Sequence, residues 1–532
     1  MDYWARPSIE RDQLVLINTT LADRIPDDHS VRLFWELLMT YDWAAWEAAY
    51  HGHRGQPPIH PRIVAGVLLY GLTQGIRSSR RLEWACGHAV DFMWLAEGRT
   101  PDHSTLCDFR RRFGPELKEL FRHIGRLAHA MGVVRLNCVA LDGTKVAACS
   151  SRHDTRTAES IAVELADLDR RLETLLAEAE AADAAESATL FGEDTAPVTS
   201  VPPALASTKA RQAKLKKALA CLQKRQAEGS TQTKVALADP EAPISPNKGG
   251  GFAPNHTPVL ATDARHRFIV AETVMGDEPE SEALLPLLDE VKATFGQAPE
   301  QALADSGFCT ADNLEGVETR GVDAYIAPSG ERLEGSNQSS SAQTNVVARA
   351  DPRVPVANEL HAALPRTQAG VLAKEAFVYD VPSDTYFCPI GRPLPLLQVV
   401  TEQRRGEAVQ RRVYGCTSCD GCPLHAGCAA PSRHRRLRSL GATPAREQMA
   451  AKVHSEAGRR IYRQRMTVAE SPNGILKSVL GARQFLLRGL AGVRTEWRWI
   501  CTGYNLRILI PWLRRQRARV AQALAQPLAV TG

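Results

Sequence analysis

Two acidic residues follow short hydrophobic runs that are typical of buried strands. Asp142 comes after the run "LNCVAL" and precedes a glycine, and Asp305 comes after the run "EQALA" and precedes Ser-Gly. Each acid alone is explained by a turn, because Asp-Gly is a strong hairpin signal. Two strands that end alike in one sheet indicate instead that two carboxylates lie at the same sheet edge, where α/β sheets bind ligands.

A third acid would complete a site for a divalent cation, because Mg²⁺ prefers a few carboxylates together with water and phosphate oxygens. Glu470 is the candidate, since it is a lone acid in a basic segment, residues 459–488. Taken alone, this glutamate is explained as charge balance on a helix surface. Together, three such carboxylates could hold a pair of divalent ions, the arrangement that cleaves phosphodiesters by in-line displacement.

Three other acids have simpler explanations. Asp263 lies in a turn, Asp263-Ala-Arg-His266, between two strand-like runs, and Asp312 lies where an acid stabilises the start of a helix. Glu496 lies between arginines in "RTEWRWI", where pairing with an arginine is expected. We therefore do not place these acids in the predicted site.

Five cysteines in the segments "YFCPIGRPL" and "YGCTSCDGCPLHAGC" have the spacing of metal ligands. Thiolates in tetrahedral sites select Zn²⁺. We predict a structural zinc ion, whose ligands are Cys388, Cys419, Cys422 and Cys428. Cys416 is then the spare thiol, His425 is the alternative fourth ligand, and thiols without metal are the alternative to a zinc site.

The composition is that of an ordinary soluble protein, with 44% apolar and 23% charged residues in a chain of 532. The net charge is only +5, so binding to nucleic acid must depend on local basic patches. The N-terminus lacks an apolar signal segment, and the longest apolar stretch near it, residues 63–72, is too short to span a bilayer. We therefore expect a cytosolic protein whose cysteines are thiols or metal ligands rather than disulfides.

The first 130 residues show apolar spacing near 3.6, which predicts helices. Within them, "RTPDHSTLCDFRRRFG" predicts a short helix capped by Ser104 or Thr105. This helix would carry Arg110, Arg111 and Arg112. A short helix with a basic end, packed on other helices, is typical of a helix-turn-helix on DNA. The alternative is a solvated basic face without such a role.

The rest of the chain alternates between strand and helix signals. Leucines at heptad spacing in residues 156–228 predict a helical hairpin. Residues 258–329 read as a β-hairpin followed by helix, strand, helix and strand, which indicates an α/β sheet covered by helices. The chain becomes helical and basic after residue 445.

The third acid lies in the pattern Tyr462-x2-Arg465-x4-Glu470-x6-Lys477. This pattern, after the strands "VALDGTKV" and "ALADSGF", resembles the third acidic motif of bacterial insertion-sequence transposases of the DDE class. The helical N-terminus and the closing segment "RGLAGVRTEWRWICTGYNLRIL" resemble the same family. The resemblance covers about residues 10 to 515, and it departs from the family pattern at one point. Four residues, rather than the three that are common in related elements, separate the arginine from the glutamate.

The resemblance implies a ribonuclease H-like mixed α/β sheet with helices, interrupted by insertions. The implied organisation is a helical DNA-binding domain at 1–132, a first catalytic part at 133–329 with a helical-hairpin insertion at 155–230, a Cys-rich insertion at 330–445, a second catalytic part at 446–520 and a disordered tail at 521–532. The catalytic domain would therefore be assembled from two separate parts of the chain.

The resemblance also implies the chemistry. Asp142, Asp305 and Glu470 would be the catalytic acids and would hold Mg²⁺ or Mn²⁺, while Tyr462, Arg465 and Lys477 would act near the DNA phosphates. Water would free a DNA 3′-hydroxyl, which would then attack target DNA. The expected partners are double-stranded DNA, both terminal repeats and target, and a second copy of the chain. We expect a nucleoid-associated cytoplasmic enzyme without membrane contact. The alternatives are a metal-dependent nuclease that cuts without joining and a zinc-containing DNA-binding protein whose acids are structural.

Overall fold

The structure is a computed structural model that describes residues 19–50, 57–189, 203–246, 250–327, 351–367, 370–380, 382–404, 407–429, 432–438 and 444–525. These residues fall into two compact units. The first contains the described residues of 1–123 and 502–532, and the second contains those of 124–501.

Helices dominate the first unit and both ends of the second. In chain order they are α1 (Ser30–Met39), α2 (Ala44–Ala48), α3 (Pro61–Thr73), α4 (Ser79–His88), α5 (Val90–Leu95), α6 (His103–Arg112), α7 (Gly114–Ala130), α8 (Ala158–Thr189), α9 (Pro203–Ala227), α10 (Leu284–Phe295), α11 (Ala311–Thr319), α12 (Pro444–His454), α13 (Glu456–Tyr462), α14 (Ser471–Ser478) and α15 (Leu490–Ala525). The apolar stretch near the N-terminus is the buried helix α3. Among the described residues, no helix combines the length and apolar character that crossing a bilayer requires.

Strands occur in the second unit. They are β1 (Cys138–Gly143), β2 (Val146–Ala147), β3 (Thr155–Thr157), β4 (Lys234–Ala236), β5 (Ile244–Pro246), β6 (Phe252–Asp263), β7 (Ile269–Met275), β8 (Gln301–Ala304), β9 (Asp323–Ile326), β10 (Val378–Asp380), β11 (Thr385–Phe387), β12 (Pro393–Arg404), β13 (Glu407–Gly415) and β14 (Arg436–Arg438). The described part of the chain is therefore mixed α/β, as predicted.

The main sheet is mixed, and its central strands run in the order β7-β6-β1-β8-β9. Strands β6 and β7 form the predicted hairpin, β6 is antiparallel to β1, and β8 is parallel to both β1 and β9. The middle of β1 is completely buried, which explains why its sequence is a continuous apolar run. The sheet therefore places the ends of β1 and β8 at one edge, as the sequence predicted.

Helices α8 and α9 lie between β3 and β4, two short strands that pair with each other. The heptad leucines of the two helices pack together in a core that includes Ile161, Leu215 and Leu222, each fully buried. Apolar residues at this spacing form a seam because they recur on one helix face.

The cysteine-rich segment folds around a second sheet, whose antiparallel strands follow the order β10-β11-β12-β13-β14. Its core contains Tyr386, Leu394 and Tyr414 together with three of the predicted module's cysteines, Cys388, Cys416 and Cys419. This segment thus has an apolar core of its own.

Two expectations about the helical parts need correction. Asp102, rather than Ser104 or Thr105, caps α6, and its carboxylate accepts the N–H of Thr105 at 2.6 Å. At the other end of the chain, α15 extends to Ala525, so the first five residues of the predicted tail are helical, and residues 526–532 lie outside the described part.

Residues 502–520 were placed with the catalytic part, whereas the structure groups them with the first unit. The physical reason is a close helix contact. Gly503 packs so tightly that a Cβ there would lie 2.6 Å from Cβ of Leu72, and Arg507 donates to the carbonyl of Thr73 at 2.6 Å.

Candidate active site

Asp142 and Asp305 follow neighbouring parallel strands at the same edge of the main sheet. The register pairs Ala140 with Leu303. Two residues further along both strands, Asp142 therefore stands opposite Asp305. The residue just before each acid is buried, whereas the acids themselves are half-buried. The apolar core therefore ends where the two carboxylates begin.

Glu470 reaches this edge from the C-terminal part of the second unit. It ends a π-helical turn, Met466–Glu470, and the next residue begins α14. Val468 and Ala469 of this turn belong to the same buried cluster as Cys138 and Ala140 of β1. This packing anchors the glutamate beside the strand that carries Asp142.

The π-helical turn explains the extra residue between Arg465 and Glu470. A π turn closes over i→i+5 rather than i→i+4, so it accommodates one residue more than an α turn. The four intervening residues thus occupy a turn that has room for them. Pro472 stands in the first turn of α14, where a missing N–H is tolerated.

Two side chains from the same segment bind the carboxylate of Asp142. Arg465 Nη1 lies 3.3 Å from Oδ1, and Asn473 Nδ2 donates to Oδ2 at 3.0 Å. Burial raises the pKa of Asp142, and the charges of Asp305 and Glu470 raise it further, while Arg465 and Asn473 oppose that rise. The three acids are therefore close enough to interact electrostatically at one point.

The two other predicted accessory residues also lie here. The guanidinium of Arg465 stands 6.0 Å from the ring centre of Tyr462, whose hydroxyl pKa is raised by burial. Lys477 donates to the hydroxyl of Thr144 and, at 2.8 Å, to the carbonyl of Lys145. Lys477 thus binds the chain directly after the first acid.

Sequence reasoning missed two residues of this site. Asn473 is buried, and its Oδ1 has no hydrogen-bond partner within the described residues. Glu280 lies in a 3-10 turn, Glu280–Ala283, and burial together with the charges of Asp305 and Asp142 raises its pKa to about 7. The position of Asn473, three residues after Glu470 and thus on the same helical face, was a usable signal; Glu280 had none.

The rival acids have structural roles. Asp263 is 1% exposed and accepts the N–H groups of Leu136 and Arg265, at 2.9 and 3.0 Å. Glu496 accepts the backbone N–H of Leu487 at 2.8 Å. Asp312 lies in the first turn of α11.

The donor chemistry of the three acids fits a hard divalent cation. Carboxylate oxygens are the ligands that Mg²⁺ and Mn²⁺ prefer. Burial first, and then the charges of Asp305 and Glu470, raise the pKa of Asp142, and a cation would offset both effects. Within the described residues, however, no three Asp, Glu, His or Cys side chains stand in a ligating arrangement. One oxygen of Asp142 is instead paired with Arg465.

The predicted zinc ligands lie around one small pocket. Its lining includes Cys388, Cys416, Cys419, Cys422 and Cys428, and all five are free thiols. Burial raises the thiol pKa of Cys388, Cys419 and Cys428. His425 is not in this lining, and its Nε2 lies 3.1 Å from the carbonyl of Arg433. Cys416 shares the pocket, so its location does not mark it as the spare thiol.

Only part of the predicted DNA-binding arginine cluster is exposed. Arg110 is 8% exposed and donates to the carbonyl of Arg77 at 2.9 Å. Arg111 and Arg112 are exposed. Arg110 therefore supports the fold of the helical unit, which is a correction to its predicted role at the DNA.

Three families of known proteins match the chain. Residues 19–112 match the family described as Transposase domain (DUF772). Residues 240–374 and 387–510 match two families that are both described as Transposase DDE domain. Asp305 lies in the first of these DDE matches and Glu470 in the second, whereas Asp142 lies outside all three. Among curated proteins, no significant match was found.

Proposed function

Because the chain belongs to the insertion-sequence transposases of the DDE class, we propose that it cleaves the ends of an insertion sequence and joins them to target DNA. The observation that supports this proposal is that Asp142 and Asp305 stand side by side at one sheet edge, while the turn that carries Glu470 packs against the strand of Asp142. Each comes from a different segment of the chain, and Asp305 and Glu470 both act on the pKa of Asp142.

Asp142, Asp305 and Glu470 are the residues that would hold Mg²⁺ or Mn²⁺. When bound, such ions generate the nucleophile and neutralise the charge on the leaving oxygen. Water attacks the phosphorus at the element end, and the 3′-oxygen leaves as a hydroxyl. That hydroxyl then attacks the phosphorus of a target phosphodiester, and the target strand's own 3′-oxygen leaves as a hydroxyl, so no covalent bond between protein and DNA forms.

The basic residues of the site supply charge for the phosphates. Arg465 offsets the charge of Asp142, with 15% of its side chain exposed. Lys477 lies beside Thr144 and Lys145, where the strand that carries the first acid has ended. With Tyr462 next to Arg465, these side chains would position the DNA backbone around the scissile bond. A ribonuclease H-like arrangement is supported by the mixed sheet that carries two of the acids.

The proposed partners are double-stranded DNA, with terminal repeats and target, and a second copy of the chain on the paired ends. Arg111 and Arg112 are the exposed basic residues of α6 that would contact the DNA backbone. For the cysteine pocket we propose a structural zinc ion on Cys388, Cys419, Cys422 and Cys428. The chemistry fits, since thiolates are the ligands that zinc prefers.

The test uses the full chain and a duplex that carries the ends of its element. Wild-type protein should cut the ends in Mg²⁺ and join pre-cut ends to a plasmid, whereas Glu470→Gln should bind the ends without cutting. Cutting without joining would identify a nuclease. Cutting by the glutamine variant at the wild-type rate would overturn the site.

A further inference from the structure

The backbone N–H of Gly143, directly after the first acid, points away from its antiparallel neighbour. Thr144 donates to the carbonyl of Pro258 at 2.8 Å, so its backbone faces β6. Because backbone groups alternate direction along a strand, the N–H of Gly143 faces the opposite side. On that side the parallel neighbour β8 has already ended at Ala304. The sheet therefore provides no carbonyl for this N–H.

The side chain of Glu280 occupies this gap. Its carboxylate lies against the backbone of Gly143, where a Cβ would come within 1.8 Å of Oε1. The N–H of Gly143 lowers the pKa of Glu280, against the larger effect of burial. The side chain is half-buried. It thus places a carboxylate acceptor beside the strand end where β8 no longer provides one, and its close packing on the backbone explains why residue 143 is a glycine.

The turn that carries Glu280 is itself fixed beside the second acid. Asn313 donates one amide hydrogen to the carbonyl of Ser281 and another to the carbonyl of Phe308, both at 2.9 Å. Phe308 ends the turn Ser306–Phe308, whose N-cap is Asp305. One buried amide therefore ties the turn of Glu280 to the turn that follows Asp305.

We infer that Glu280 is a positioning residue for the active site, holding the end of the strand that carries Asp142 in register with Asp305. The inference rests on the proposed cleavage reaction only for its activity readout. Glu280 acts on Asp142 through the backbone of Gly143. The length of the Glu280 side chain sets the distance between its carboxylate, a hydrogen-bond acceptor, and the backbone of Gly143.

Two variants distinguish the effect of the side-chain length of Glu280 from the effect of its negative charge. Glu280→Gln keeps the length of the side chain and an acceptor oxygen but removes the charge. Glu280→Asp keeps the charge but draws the carboxylate back by one methylene. The matched controls are Glu282→Gln and Glu282→Asp, because Glu282 is exposed in the same turn. All four variants are purified as full chains and compared by thermal unfolding.

Positioning predicts that end cleavage by Glu280→Gln falls by no more than about fivefold, because a neutral acceptor replaces a charged one. Cleavage by Glu280→Asp should fall by about tenfold to a hundredfold, since a displaced reactive group costs that much. If Glu280→Asp is as active as wild type, or if Glu280→Gln is as impaired as Glu280→Asp, the inference is overturned. The second result would identify Glu280 as a direct cation ligand.

Hydrogen–deuterium exchange supplies a readout that needs neither DNA nor cation. Glu280→Asp should accelerate exchange at residues 141–144, while Glu280→Gln and both controls should leave it unchanged. Unchanged exchange in Glu280→Asp would overturn the inference. If the wild-type chain cut no DNA at all, the proposed function would fail, and the exchange data would still decide the role of Glu280.

Discussion

The guanidinium of Arg465 lies 3.3 Å from the carboxylate of Asp142, although 323 positions separate the two residues in the chain. Both side chains are largely buried, with 15% and 17% of their surfaces exposed. A buried carboxylate requires such a partner, because its charge is poorly stabilised away from water. The pair therefore links the first acid to the segment that carries the third.

Replacing Arg465 should disable the site more than it disables the fold. Arg465→Ala leaves Asp142 without its counter-charge, and we expect cleavage to fall by about tenfold to a hundredfold, the equivalent of one charged hydrogen bond. Arg463→Ala is the control, since Arg463 is exposed two residues away. Cleavage rates at saturating DNA and melting temperatures check both. Equal rates in the two variants would contradict the role of the pair.

Neutralising either aspartate alone should abolish cleavage, while DNA binding persists. Asp142→Asn and Asp305→Asn should reduce cleavage by about a thousandfold, since divalent-ion catalysis contributes several kcal/mol. End binding should stay within about threefold, because it depends on basic contacts to phosphates. Asp312→Asn is the control, from the first turn of α11. A gel-shift and cleavage series measures both, and loss of activity in the control would point to a general charge effect.

The cysteine pocket should hold about one zinc ion per chain, the content of one tetrahedral site. Serine in place of Cys388, Cys419, Cys422 or Cys428 should remove the metal and lower the melting temperature. Cys416→Ser should retain the zinc, and so should Cys107→Ser, which lies in the first unit. Elemental analysis of protein purified without chelators decides between these outcomes. Loss of zinc in Cys416→Ser would place Cys416 among the ligands.

The ion pair between Arg498 and Glu272 should support the stability of the second unit. Arg498 Nε lies 2.7 Å from Glu272 Oε1, and the glutamate side chain is 2% exposed. Arg498→Met leaves a buried charge without its partner, so the free energy of unfolding should fall by about 3–5 kcal/mol. The double variant Glu272→Leu/Arg498→Met should recover most of that loss. Urea unfolding measures both, with exposed Arg171→Met as the control, and additive losses would contradict the coupling.

Asp384 should make the second sheet sensitive to acid. Burial alone would raise its carboxyl pKa, but hydrogen bonds from Tyr379 and Tyr414 and the charge of Arg412 lower it below the ordinary value of 3.8. A lowered pKa stabilises the folded form above 3.8, and this contribution is lost as the pH falls through the folded value.

The corresponding variant is Asp384→Asn, which tolerates the same left-handed backbone, φ 46°. In this variant, the backbone amides of β11 and β13 should exchange faster at neutral pH than the same amides in the wild-type protein. The difference should shrink as the pH falls below 3.8. The measurement is hydrogen–deuterium exchange, corrected for the intrinsic pH dependence of the exchange rate. A difference that grows on acidification would contradict the sign.

The sequence predicted that the two aspartates lie together, because each directly follows a buried strand and neighbouring parallel strands end at the same sheet edge. It did not reveal Glu280, because the acids at 277–282 read as ordinary charges before a helix. The contact of Glu280 with Gly143 depends on how two turns pack in space, and no spacing along the chain records that packing.

The sequence around the arginine cluster contains a helical pattern that predicts the burial of Arg110, although the prediction of DNA contact did not use it. Leu106, Phe109 and Arg110 are all buried on α6. Their spacing of three and four places Arg110 on the apolar face of the helix. The charge alone suggested exposure, whereas the helical period indicated burial. The boundary at residue 502 left no such trace, because it depends on how closely Gly503 approaches another helix.

The sequence separation between Asp142 and its partners also determines when, during translation, the proposed site can first be assembled. During synthesis the first two acids emerge from the ribosome well before Arg465, Glu470 and Asn473 have been translated. A chain arrested at residue 460 therefore lacks the counter-charge and the third carboxylate together. Under the proposed mechanism, translation products that end before Glu470 lack a complete acidic site and should not cut DNA.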